Sequence, residues 1–454
     1  MILLKGCFFV YTENEEKQRG VDILLRGNRI EKIGKGIKIE EKGEEEVETI
    51  DCSHIVVVPG FVNTHHHFYQ TLTRALPAVQ NAKLFDWLVY LYRIWENIDE
   101  EAIFYSSLLA MGELLKTGCT TTTDHHYLYP KSLKTDIMSI QFRAAEKSGI
   151  RFSPCRGSMS LSKKDGGLPP DSLVQSEDEI LKDCRRVIEQ FHEEGELSMR
   201  RIILAPCSPF SVTPDLMKES ARLAREYGVR LHTHLAETGD EDEYCLNRFG
   251  RRPLALMEEW GFLGEDVSFA HGIHFNDGEL SILAKSSTSI AHCPSSNMRL
   301  GSGIARVREM LDLNINVGLA VDGSASNDTS DYLGEMRNAL LLQRVRYGAS
   351  GLSAGEVYSM ATINGAKLLG FKDIGKIEEG YGADLALFKV DRLDYAGSLS
   401  DPPAALLFAG INHLSEYTIV NGKIVVRNGR LTGFSEEDVT ERANRIAEKL
   451  KREA

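Results

Sequence analysis

The sequence predicts an α/β fold: a (β/α)8 TIM-like barrel over residues 59–370, inserted in a small β-sandwich that both chain ends form (1–58 with 371–434), and closed by a helix over 435–454. Three observations carry this. Eight short apolar segments alternate with amphipathic helical stretches, at 61–67, 119–124, 151–156, 201–207, 230–237, 267–272, 288–293 and 316–322. Both chain ends, unlike the middle, alternate with the period of strands and carry tight-turn signals. Polar residues of the middle segments collect where the apolar runs end, which is where barrel enzymes keep their chemistry.

Near the start, Val21–Leu25 and Arg29–Ile33 flank a Gly27-Asn28 turn and predict a hairpin. Ile55–Val58 then passes through a Pro59-Gly60 break into a short extended segment that ends in His65, His66 and His67. Alternate side chains of a strand share a face, so His65 and His67 point one way and His66 another. The connection 68–99 is unusually long and carries Trp87, Tyr90, Tyr92 and Trp95. Such connections often cover a barrel mouth, although a satellite hydrophobic cluster is the preferred reading for most of these aromatics. Glu101–Lys116, Glu177–Phe191 and Pro214–Tyr227 are clear amphipathic helices. Beyond 370, Ala383–Phe388, Thr418–Val420 and Lys423–Val426 return to strand texture, with Asn421-Gly422 and Asn428-Gly429 as turn dipeptides. Ser435 and Asp438 resemble a capping box, and Val439, Ala443, Ile446 and Leu450 form one buried stripe.

A chain of 454 residues can bury a large core and a smaller second domain. Its net charge of −13 argues against nucleic acid and against an anionic membrane surface as partners. No run reaches membrane-spanning length. Eight scattered cysteines without a Cys-x-x-Cys pair are neither a zinc knuckle nor a disulfide scaffold, and fit a reducing cytosol. Met1–Gly6 lacks the long apolar core of an export signal, so a cytoplasmic protein is expected.

The strand ends supply a constellation. Strand one ends in His65 and His67, strand five in His232-Thr233-His234-Leu235-Ala236-Glu237, strand six in His271 and strand eight in Asp322. A lone histidine at a strand end is usually structural, but four such ends converging on one mouth are hard to explain without a metal. Three imidazoles and a carboxylate suit zinc, or iron, with a position left open for water, whose pKa the metal would lower toward neutrality. Glu237 stands three residues past His234, close enough to carry the water's proton to a substrate ring nitrogen. Asp322 could both ligate the metal and accept the second proton. On the residues alone, His271 remains open as a ligand.

Thr64–His67, His234–Thr238, Ala270–Gly272 and Val321–Gly323, in this order and spacing, resemble the amidohydrolase superfamily, and within it the aminohydrolases of purines, pterins and triazines. The resemblance covers essentially the whole chain. Gly375–Leu385 is similar to the segment by which these enzymes return to their sandwich. Carried over residue by residue, it implies His65, His67, His234 and Asp322 as ligands of one divalent metal, zinc before iron. It implies Glu237 as the acid/base, and His271 as a histidine that orients the attacking water rather than a ligand. His66 is left structural. Two-metal relatives carry a carboxylated lysine at the end of strand four, and Leu204–Pro209 contains no lysine, which favours a single metal. Cys207 stands where related nucleoside deaminases tend to have a histidine, which suggests a different substrate contact; a buried structural thiol is the alternative. Relatives often form homodimers, although nothing in the sequence marks an interface.

His67–Pro77, Leu84–Leu88, Asp124–Tyr127, Pro206–Phe210 and His292–Leu300 look most like 8-oxoguanine deaminases, whose relatives include hydroxydechloroatrazine ethylaminohydrolases. The resemblance implies hydrolytic deamination of a small heterocyclic base, 8-oxoguanine to urate and ammonia first, with guanine, a pterin or a hydroxylated s-triazine as alternatives. Gln70 could offer a donor and an acceptor to a ring edge. Arg156 could hold a ring carbonyl that turns anionic, or make a salt bridge at the barrel rim, and both readings stand. Trp87 could stack on a planar ring or belong to the core. His125 and His126 end strand two and could line the mouth, although a hydrogen-bonding role is expected for at least one. The missing lysine counts against cyclic-amide hydrolysis, and the complete ligand set against a non-enzymatic scaffold. The cytidine-deaminase fold needs a Pro-Cys-x-x-Cys that this sequence lacks.

Overall fold

The computed structural model describes residues 1–39 and 46–453; residues 40–45 and 454, which belong to the predicted sandwich and closing helix, lie outside the described residues. The repeating middle of the chain forms a ring of parallel strands, and each of the eight predicted segments contains one. They are Phe61–Asn63, Cys119–Thr122 with His125–His126, Arg151–Phe152 with Cys155–Ser158, Ile203–Pro206, Arg230–Leu235, Val267–His271, Ser289–His292 and Val317–Leu319. Strands two and three are each interrupted by two residues, and backbone bonds from the Cys155 N–H to Asp124 O (2.8 Å) and from the His125 N–H to His66 O (2.7 Å) carry the ring across the breaks. The ring closes between strands eight and one, where Thr64 N–H donates to Leu319 O and Asp322 N–H to His65 O, both at 3.1 Å. These strands are buried on both faces, as a barrel covered by helices requires. Val62, Cys155, Ile203, Ala205, Ala291 and Ala320 fill the interior, while Phe61, Leu204, Ile290 and Leu319 pack outward in the main core beneath the helices.

Two further sheets lie at the chain ends. The strands Arg29–Gly34, Val21–Arg26, Ile2–Cys7 and Glu48–Asp51 make one, entirely N-terminal. The other is shared: Phe9–Val10 and Ile55–Pro59 join Leu385–Lys389, Tyr417–Val420, Lys423–Arg427 and Arg430–Leu431. Ile55–Pro59 pairs antiparallel with Leu385–Lys389, which ties the two ends of the chain together. Both turn dipeptides adopt the left-handed backbone of a tight hairpin, with φ of 50° and 77° at Asn421-Gly422 and 52° and 72° at Asn428-Gly429. Gly60 carries the chain from this sheet into the barrel, and a Cβ there would stand 2.2 Å from Thr120 Oγ1. A fully buried ion pair, Arg151 to Asp384 at 2.8 Å, links barrel strand three to the shared sheet.

The long first connection forms a 3-10 turn, Phe68–Thr73, and then a helix, Leu84–Trp95. The closing helix, Glu436–Glu453, is capped by the Ser435 hydroxyl, which accepts from the Asp438 N–H at 3.1 Å. Its Ala443, Ile446 and Leu450 pack in one cluster with Tyr69, Trp87, Tyr92 and Trp95, so three of the four aromatics form the expected satellite core, while Tyr90 is exposed. No helix among the described residues is long and apolar enough to cross a membrane.

Candidate metal centre and active site

The four candidate ligands meet at the C-terminal mouth of the barrel. His67 Nε2 lies 3.1 Å from His234 Nε2, and Asp322 Oδ1 is 3.3 Å from both His65 Nε2 and His67 Nε2. Two donors sharing a tetrahedral zinc stand about 3.3 Å apart, so the spacing fits one divalent ion. The remaining ring nitrogens fix the tautomers. His67 Nδ1–H donates to His125 O at 2.8 Å and His234 Nδ1–H to Cys207 O at 2.7 Å, which leaves each Nε2 as a lone pair facing the centre. His65 Nδ1 is 2.8 Å from His232 Nε2, and its own Nε2 is buried without a hydrogen-bond partner.

Burial depresses the pKa of all three imidazoles, so they are neutral, the form that binds metal. Burial works against the charge of Asp322, but the adjoining His65, His271 and His67 rings hold its carboxyl well below the usual carboxylate range. The Asp322 carboxylate also accepts from Gly323 N–H at 2.7 Å and from the Ser296 hydroxyl at 2.5 Å. Neutral imidazoles, an anionic carboxylate and an orphaned buried nitrogen together fit a divalent metal.

Backbone strain marks the same strand ends. Ala236, His271 and Asp322 have φ of 54°, 72° and 62°, a left-handed conformation that non-glycine residues rarely adopt. Such residues cost roughly 1–3 kcal/mol each and persist only where the surroundings over-determine them.

Glu237 and His271 face each other beside the ligands. Glu237 Oε2 is 3.5 Å from His271 Nε2, which is 4.0 Å from Asp322 Oδ2. Burial pushes the Glu237 carboxyl up to about 7, with His271 lowering it and Asp322 raising it. His271 Nδ1–H donates to Asn297 Oδ1 at 2.9 Å, which turns its Nε2 toward the two carboxylates. The Glu237 N–H is held by the Glu241 carboxylate at 3.0 Å.

These groups floor a cavity enclosing about 410 Å³, mouth included. Leu84, Trp87, Leu88 and Tyr92, one face of the helix Leu84–Trp95, form its roof. Gln70, Tyr127, Cys207, Phe210, Leu300 and Ser326 complete the wall. Of the sequence-predicted contacts, Gln70, Trp87 and Cys207 therefore reach the cavity. Gln70 Oε1 accepts from Ala325 N–H at 3.3 Å, which leaves its amide nitrogen as the group to offer a ligand. Trp87 Nε1 is buried without a partner. Burial pushes the Cys207 thiol up to about 12, so it is a neutral group.

Arg156 is not brought to the cavity. Strand three resumes at Cys155, whose side chain points inward, so its neighbour points outward to the helices. There Arg156 donates to Asp183 at 2.7 Å and Gln175 at 2.9 Å and stacks over Tyr129. It makes a buried salt bridge, the second of its two readings. His66 accepts from the His67 N–H and bonds Ser330, as befits a structural residue. His125 and His126 both donate to backbone, to Ala205 O at 2.9 Å and Leu128 O at 2.8 Å.

The sequence reading assigned no role to Leu84, Leu88, Tyr127, Ser296, Asn297, Ser326 or His232. His232 had a signal, since it precedes His234 by two and must share its face. Ser296 and Asn297 lie in a stretch noted only for its text.

Residues 56–425 match the model of the amidohydrolase family. The chain is 45% identical over 431 residues to the 8-oxoguanine deaminase of Pseudomonas aeruginosa, covering 95% of each. It is 36% identical over 437 residues to hydroxydechloroatrazine ethylaminohydrolase of Pseudomonas sp. strain ADP, covering 94% of this chain and 90% of that one. Among solved structures it superposes on the zinc complex of atrazine chlorohydrolase from Arthrobacter aurescens TC1, with a TM-score of 0.92, 31% identity, and coverage of 98% and 100%.

Proposed function

Because the chain belongs to the amidohydrolase family and is a hydrolase of C–N bonds, we propose that it deaminates a free heterocyclic base, 8-oxoguanine to urate and ammonia before others. The observation that carries the reading is one buried floor on which Glu237, His271 and Asp322 face the Nε2 atoms of His67 and His234. His65, His67, His234 and Asp322 would hold one divalent metal, zinc before iron given the nitrogen-rich donor set. A metal there supplies Lewis acidity, which makes a water nucleophilic near neutral pH.

The chain's residues do the rest. Glu237 takes one proton from the attacking water and delivers it to the ring nitrogen beside the amine-bearing carbon, to which the water oxygen bonds. His271, held by Asn297, orients that water. The carbon–nitrogen bond then breaks, and Asp322 relays the water's second proton to the departing nitrogen, which leaves as ammonia. The apolar roof excludes bulk water and covers a planar ring, Trp87 offering its face. The Gln70 amide and the neutral Cys207 thiol meet the ring edges. Eight buried, unpaired thiols suit a cytoplasmic enzyme.

The likeness to the P. aeruginosa enzyme supports 8-oxoguanine as the first base to try. The relative from strain ADP motivates a hydroxylated s-triazine as the second, with guanine and pterins after it. The test is ammonia release from 8-oxoguanine by zinc-loaded protein. Glu237→Gln should keep the metal and lose about 100- to 10,000-fold in kcat. A variant near the parental rate would remove Glu237 from its role, and a metal-loaded parent that releases no ammonia would exclude 8-oxoguanine.

A further inference from the structure

His67 and His234 are both pinned by backbone carbonyls, which no side-chain substitution removes. His65 differs: its Nδ1 is held by a side chain, His232 Nε2, at 2.8 Å. His232 lies directly beside Ser268 in the neighbouring strand, and its Nδ1 is 2.8 Å from the Ser268 hydroxyl. That hydroxyl has Leu231 O at 3.4 Å as its own acceptor. His232 and Ser268 are almost completely buried, and neither touches the substrate cavity.

The direction of this run follows from its first member. If His65 binds a metal through Nε2, its proton sits on Nδ1 and is donated to His232 Nε2. His232 must then carry its proton on Nδ1 and donate to Ser268, which donates to Leu231 O. Every donor has one acceptor, and the run ends on backbone.

The same neighbourhood admits another reading, because donor atoms of His65, His125 and His232 lie within 4.8 Å of one another, as a second metal would need. The distances decide against it. Two nitrogens sharing a zinc stand about 3.3 Å apart, whereas His65 and His232 are at hydrogen-bonding distance, 2.8 Å.

We propose that His232, backed by Ser268, is a positioning residue for the metal ligand His65: it fixes the tautomer and ring orientation that present Nε2 to the ion. The inference rests on the reading that His65 holds a metal. Groups that orient metal-binding histidines typically change metal affinity about 10- to 100-fold when removed.

The experiment measures zinc dissociation constants by chelator competition, with the melting temperature of the metal-free protein followed in parallel. His232→Leu should weaken zinc by about 10- to 100-fold. His232→Gln, which restores an acceptor, should recover most of that loss. Ser268→Ala should give a smaller loss, about threefold to tenfold, because it frees His232 without touching His65. Parental affinity in His232→Leu overturns the proposal. If that variant does not fold, parental affinity in Ser268→Ala does so instead. Should the parent itself bind zinc no better than His65→Ala, the metal reading falls and the relay with it, an outcome distinct from a parent that binds tightly and a His232→Leu that does likewise.

Discussion

Gly323→Ala tests whether Gln70 touches the substrate. A Cβ at Gly323 would stand 1.9 Å from Gln70 Oε1, 2.3 Å from its Cδ and 2.8 Å from its Nε2. Gly323 is outside the left-handed region, so backbone strain plays no part in the effect. The Gln70 carboxamide must retreat by about 1.5 Å to regain ordinary contact. Gln70 is buried and its Oε1 holds the Ala325 N–H, so the retreat breaks that bond and takes the amide donor away from the cavity wall. A misplacement of about 1 Å in a positioning group can cost about 100-fold. We therefore expect kcat/KM for the preferred base to fall about 10- to 100-fold, or about 1.4–2.7 kcal/mol of transition-state stabilisation. Gln70→Ala should lose a similar amount. Once Gln70 is truncated the new methyl has room, so the double variant should be no worse than Gln70→Ala alone, a coupling of about 1–3 kcal/mol. The assay is steady-state ammonia release over a range of base concentrations, with zinc content as the control. Parental kcat/KM in Gly323→Ala, or two losses that simply add, would refute the reasoning.

Glu237 accepts a proton only when ionised, and burial raises its carboxyl to about 7. kcat/KM should therefore rise with pH up to about 7 and level off above it, a bound cation moving that limb to lower pH; the residual rate of Glu237→Gln should lack the limb, and an unchanged limb would reassign it. Asp322→Ala should lose zinc on dialysis, and retained metal would remove Asp322 from the ligand set. Arg156→Met should leave KM unchanged but lower stability by about 3 kcal/mol in urea unfolding, the low end for buried pairs because Asp183 is a quarter exposed. A large rise in KM with unaltered stability would return Arg156 to the substrate.

The meeting of His65, His67, His234, Asp322 and Glu237 at one mouth was legible because barrel chemistry sits at strand ends and strand parity is read from spacing alone: His65 and His67, like His232 and His234, are two apart. Arg156 was not, because the sequence marks strand three as ending there. In the structure that strand breaks at 153–154 and resumes over Cys155–Ser158, which puts Arg156 in mid-strand on the helix side. The roof was half legible. The connection 68–99 was long enough to cover a site, but the helix Leu84–Trp95 buries a single stripe, Leu84, Trp87, Leu88, Leu91, Tyr92 and Trp95, in the satellite cluster, and only four of these also line the cavity. Hydrophobic periodicity cannot say which members of one stripe reach a cavity. Ser296 and Asn297 follow strand seven, whose terminal His292 is not part of the cavity lining, so nothing at that strand end pointed to the two polar side chains beyond it.

Reaction and recognition accordingly rest on different parts of the fold. The groups that move protons or could bind metal sit on or just past parallel strands, and three strand ends hold left-handed residues whose strain the surrounding ring must offset. Ser296 grips Asp322 and the adjacent Asn297 grips His271, so one short helix after strand seven, Pro294–Arg299, ties both to the frame. Such a centre tolerates little change without losing its geometry. The cavity roof, Leu84, Trp87, Leu88 and Tyr92 on one helix, and Gln70 in the 3-10 turn come from the single long connection after strand one, while Tyr127, Cys207 and Phe210 enter from the connections after strands two and four. That connection packs on the closing helix through Ala443, Ile446 and Leu450, outside the barrel frame. Under the proposed function, a change of substrate on this scaffold is therefore expected to begin with substitutions in 68–99, which carries five of the cavity's side chains and none of the four candidate ligands.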